Sequence, residues 1–110
     1  MAIPHAYPGM PVDLRAREET TPAETRTTAL VKNDTFEAIR LVAPIGHEIC
    51  HNHRVEGMIT VHCLEGRIAF TADGDTRELA AGHWLFLTGG VPHTITALED
   101  ALVLLTVMFR

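Results

Sequence analysis

Turn-forming residues interrupt this chain so often that no segment between them is long enough to sustain a helix. From Asn33-Asp34 onward they recur as Pro44 with Gly46, Gly57, Gly66, Asp73-Gly74, Gly82, Gly89-Gly90 and Glu99-Asp100. Each offers either a left-handed backbone or a short side chain that bonds its own backbone. What remains between them are short β-type stretches at 27–31, 36–42, 47–53, 58–65, 67–72, 76–79, 84–87, 93–97 and 101–109. Many short strands at this spacing predict an all-β, antiparallel barrel or sandwich.

Alternation supports the strands locally. Ile68, Phe70 and Ala72 share one face of their segment and Arg67, Ala69 and Thr71 the other, and Asp73-Gly74 then supplies the positive φ of a tight hairpin. Before residue 27 the pattern is different. Pro4, Pro8, Pro11 and Pro22 with several threonines deny residues 1–26 a helix or a periodic apolar face, so they are expected to form an extended arm ahead of a single domain at 27–110. The same residues hold no apolar core of a secretory leader, and the longest apolar run, near the end of the chain, is broken by Thr106 and too short to span a bilayer. A cytoplasmic protein with no membrane partner is expected. A net charge of -5 with 46% apolar residues argues against disorder and against direct binding of nucleic acid.

Two segments carry a resemblance. The first runs Gly46-His47-Glu48-Ile49-Cys50-His51-Asn52-His53 and continues through Ile59-Thr60-Val61-His62-Cys63-Leu64-Glu65-Gly66; the second runs from Gly82 through Ala97, with Gly90 and His93. Together they resemble the two motifs of the cupin superfamily. The first motif is glycine, His-X-His, Glu and a closing glycine; the second is glycine, Pro-X-Gly, His and Asn. The short interval from Gly66 to Gly82 is similar to that of compact single-domain cupins, and the resemblance covers about residues 36 to 109. It implies a jelly-roll-like barrel, the double-stranded β-helix, with a divalent transition metal (iron, manganese, nickel or zinc) held by His51, His53 and His93.

Departures from the motifs matter for function. Counting back from Gly66, the family's Glu ligand falls at Ile59, with Glu56 and Met58 nearby and only Glu56 able to ligate. The interval from His53 to Gly66 is two residues too long for the pair His51 and His53, so either a bulge or longer turn lies at residues 54–57, or His53 alone is the aligned ligand. Thr88 stands where the second motif has Pro, and Ala97 where it has Asn.

Strand parity makes the chemistry explicit. His51 and His53 are two apart, so on a strand both imidazoles leave the same face, and another strand can bring His93 opposite them. Three neutral imidazoles suit a transition ion and leave a position open for a ligand. Hydrogen-bonded structural histidines are the competing reading. His62 is a candidate replacement for the lost carboxylate, but if position 59 faces the cavity, position 62 faces away. Phe70 and Trp84 are candidate pocket residues. Cys63 is expected to pack as a small hydrophobe, and Cys50, of opposite parity to His51, to point away from it.

Two functions follow. One is a metal-dependent enzyme, dioxygenase-like, acting on a small organic acid, diketone or phenolic; the other is a non-catalytic small-ligand-binding or sensor module. Apolar residues on both faces at Trp84–Leu87 and at 101–109 predict either a homodimer or cover by the arm.

Overall fold

The computed structural model describes residues 5–15, 25–51 and 57–109. Among these lie strands β1 (Arg26–Lys32), β2 (Phe36–Ala43), β3 (Glu48–His51), β4 (Ile59–Glu65), β5 (Arg67–Ala72), β6 (Asp75–Ala80), β7 (Trp84–Leu87), β8 (His93–Ala97) and β9 (Ala101–Met108), with no helix. The expected spans agree to within one residue, except that the expected end of β3 at His53 lies outside the described residues. All pairings are antiparallel, in a five-stranded sheet ordered β1-β2-β9-β4-β7 and a four-stranded sheet ordered β3-β8-β5-β6.

The β5–β6 hairpin forms as the sequence predicts. Asp73 and Gly74 both take positive φ, 52° and 81°, which matches the right-handed twist of the flanking strands. Pairing then runs outward as Ala72↔Asp75, Thr71↔Thr76 and Phe70↔Arg77, with the two threonine hydroxyls 2.9 Å apart on the outer face. Between β4 and β5, Gly66 has φ 78° and so little room that a Cβ would meet the Asp100 carbonyl. Only glycine serves there, because both the backbone angle and the close approach exclude a side chain.

Register sorts the inner face into rows. In the larger sheet Leu41, Val103 and Cys63 form one row, Ile39, Leu105, Val61 and Leu85 the next, and Val107, Ile59 and Leu87 the third. Facing them are Ala97, Ile68 and Leu79, then Ile95, Phe70 and Arg77, then His93, Ala72 and Asp75. Most of these apolar side chains are buried and form one cluster. Each Ile or Leu so buried contributes roughly 1.5–3 kcal/mol relative to exposure, which is what closes the two sheets on each other. Cys63 belongs to this cluster as a free thiol, its Sγ–H directed at the carbonyls of Glu65 and Gly66 at 3.5 and 3.7 Å. Burial, and secondarily the charge of Glu99, pushes its pKa up, with Arg67 opposing.

Among the described residues, the arm reaches the larger sheet at β1 and β2. In the arm, Ala6 N–H donates to the Leu30 carbonyl at 2.8 Å, and Arg40 Nη1 donates to the Asp13 carbonyl at 3.2 Å, so its described part lies along β1 and β2. At the other edge Trp84 and Phe86 are 56% and 52% exposed and lie against each other at 5.8 Å.

Candidate metal and ligand site

A strand buried on its inner face has little use for an imidazole, because an unpaired polar group in an apolar core costs about 1–3 kcal/mol. His93 is nevertheless the one buried polar side chain among the described residues, only 4% exposed. It opens β8, where register places it between His51 of β3 and Ala72 of β5. Its ring stacks on Phe70, centroids 5.4 Å apart at 21°. Its Nδ1 lies 3.3 Å from the Val91 carbonyl oxygen. A carbonyl can only accept, so in that contact Nδ1 carries the proton, an arrangement in which a metal would be ligated through Nε2.

Beside this histidine a cleft of about 350 Å³ opens between β5–β6 and β7. Phe70, Ala72, Leu85, Leu87 and Val91 give it apolar walls, and Asp73, Asp75, Arg77 and Thr88 give it a polar side. The cleft exists because β6 and β7 are the edge strands of their sheets and do not pair with each other.

The residues singled out in the sequence separate cleanly. Position 51 lies in the register row of His93, and Phe70 lines the cleft. His53 and Glu56 lie outside the described residues, as does the expected irregularity at 54–57 apart from Gly57; of Cys50 and His51 the structure describes the backbone alone. The position of the lost Glu ligand, Ile59, is a buried wall residue. His62 pairs with Trp84 and Leu104, on the face opposite buried Val61 and Cys63, as parity predicts for a residue turned away from the cavity. Trp84 shares that outer face, and Met58, just ahead of β4, is half-exposed; neither lines the cleft. Sequence reasoning missed Arg77, although counting outward from the Asp73-Gly74 turn places it opposite Phe70.

Against a metal, the described residues supply His93, with its Nδ1 at the Val91 carbonyl, and a backbone position for His51; among them no group of three His, Cys, Asp or Glu side chains converges. His93 thus fits the part that an imidazole set assigns it, the rest of that set being His51 and His53.

Two antiparallel sheets closed over one apolar core, with a cleft at the open edge beside a buried histidine, define a small β-barrel. The Cupin_2 cupin-domain family matches residues 39–109, and the chain belongs to that family. Solved structures share the fold. A conserved protein of unknown function from Streptococcus pyogenes is 24% identical, with 100% of this chain and 96% of that one covered and a TM-score of 0.78. An RmlC-like cupin from Desulfovibrio desulfuricans is 22% identical, covering 90% and 96%, with a TM-score of 0.78. The Cupin_2 domain of an XRE family transcriptional regulator from Enterobacter cloacae is 15% identical, covering 78% and 96%, with a TM-score of 0.70. No curated protein matches the sequence. Among the described residues no helix is long and apolar enough to cross a membrane.

Proposed function

We propose that this cupin binds a small organic ligand in the cleft beside His93, next to a divalent transition ion held by His51, His53 and His93. One observation carries the reading: the buried polar side chain of the described core stacks on Phe70, which lines the cleft, with its Nδ1 facing the carbonyl of Val91, another lining residue. When bound, such an ion would polarise ligand oxygens as a Lewis acid. The chain's own contribution is to orient the imidazole through Phe70 and Val91 and to give the ligand body an apolar wall at Leu85 and Leu87. The enzymatic form of this reading is a dioxygenase-like reaction on an organic acid, diketone or phenolic.

A second reading, a sensor module without turnover, is favoured by the make-up of the cleft. Among the described residues its lining holds no histidine, glutamate, cysteine or tyrosine that would serve as a general base, and Asp73 and Asp75 lie at the β5–β6 turn. The Enterobacter cloacae regulator carries a barrel of this fold within a transcription factor. In either reading the barrel would pair with a second copy through the outer face at Trp84 and Phe86.

The test is metal titration of tag-free protein by calorimetry. One ion per chain in the wild type, lost in His93→Ala and kept in His62→Ala, is the expected result. Equal binding by wild type and His93→Ala would overturn the metal assignment.

A further inference from the structure

Arg77 is an exposed cation at the open edge of a cleft whose walls are otherwise largely apolar. Its register partner on β5 is Phe70, so it stands on the inner face, in the same row as Ile95 and one row below Asp75. It lines the cleft together with Phe70, Leu85 and Leu87. The described ion pairs, Arg67 with Glu78 and Arg67 with Glu99, leave Arg77 out, and among the described residues it has no hydrogen-bond or ion-pair partner. Asp73 and Asp75 line the same cleft, yet neither comes within ion-pair distance of it. Charge is therefore ordered along the β5–β6 hairpin, with a guanidinium in the register row of Phe70 and two carboxylates nearer the turn.

We propose that Arg77 anchors the carboxylate of a small monoanionic ligand whose apolar or aromatic body lies over Phe70 between Leu85 and Leu87. A guanidinium presents paired donors that match a carboxylate, and Phe70, Leu85 and Leu87 give the ligand body an apolar surface beside it. The aspartates nearer the turn set the other end of the ligand. They repel a second negative charge and accept hydrogen bonds from hydroxyl or amino groups, so the fitting class is a monocarboxylate and not a dicarboxylate. This inference rests on the ligand-binding reading of the cleft, and it does not require the metal.

Three flat probes of similar size separate the contributions: benzoate, its neutral analogue benzamide, and terephthalate, which adds a second carboxylate at the far end. Each is titrated by amide chemical-shift mapping in the presence of EDTA, so that any ion-held anion is removed. Wild type should bind benzoate about tenfold more tightly than benzamide, with shifts at Phe70 and Leu85, and should bind terephthalate more weakly than benzoate. Arg77→Gln should bring benzoate down to the level of benzamide while leaving benzamide unchanged, and Arg77→Lys should restore part of the difference. Asp75→Asn should improve terephthalate selectively. Arg77 sits on an exposed edge strand, so its variants should keep the wild-type amide spectrum, which checks the fold in the same experiment. Benzoate that binds in the cleft equally to wild type and Arg77→Gln would overturn the anchor while leaving the cleft as a ligand site. Absence of cleft shifts with all three probes would overturn the ligand reading itself, and this inference with it.

Discussion

At the scale of single residues, the barrel tolerates polarity where a partner fixes it and excludes it elsewhere. His93 is buried but stacked on Phe70 and held at Val91. Cys63, by contrast, is buried as a hydrophobe whose thiol is kept neutral by burial. The sign of its effect on stability follows from that raised pKa. Below its ordinary value of 9.0 the thiol is neutral in both folded and unfolded chains and the contribution is fully present. As pH rises above 9.0 the unfolded thiol ionises while the folded one does not, so stability falls until the folded thiol ionises too. Denaturant unfolding at pH 8 and pH 10 should show a loss of stability in the wild type that is smaller in Cys63→Ala. An equal loss in both proteins would assign the alkaline effect to other groups.

At the scale of elements, strands and turns were legible because local chemistry determines them. Alternation along 67–72 and the left-handed pair Asp73-Gly74 specify a hairpin without reference to the rest of the chain. Sheet order was not legible, since the pairing of β9 between β2 and β4 joins segments far apart in sequence and reflects closure of the whole core. The same division runs through the site. His93 could be read from its motif spacing, whereas Arg77 drew no attention because an arginine in a short strand ordinarily signals a solvated face. Gly66 belongs to this scale, since it joins β4 to β5 against the β8–β9 turn. Gly66→Ala should lower stability by about 1–3 kcal/mol, because a side chain there must both hold positive φ and displace the Asp100 carbonyl. Gly46→Ala, at a similar φ but with nothing within 4 Å of the added Cβ, should cost less. Thermal unfolding of the two variants measures the difference, and equal losses would remove the steric part of the argument.

At the scale of the whole molecule, the outer face is divided between the chain and the surroundings. The arm lies along β1 and β2, while Trp84 and Phe86 on β7 stay more than half exposed. Clustered apolar exposure of this kind is uncommon on soluble monomers and points to a contact surface. Sedimentation should show a dimer at micromolar concentration that Trp84→Glu with Phe86→Glu converts to a folded monomer. A monomeric wild type would contradict a second copy on this face. The position of the site depends on this architecture too, because the cleft opens where the edge strands β6 and β7 fail to pair and reaches Phe70 and Ala72 of β5.

The most direct test of the metal-assisted reading is anomalous diffraction from crystals of tag-free protein loaded with manganese, iron, nickel or zinc and recorded at the absorption edge of each. The account predicts a single peak per chain within bonding distance of His93 Nε2, absent from His93→Ala crystals treated identically. Ordered metal bound elsewhere, or a His93 ring with no peak beside it in fully loaded protein, would contradict it.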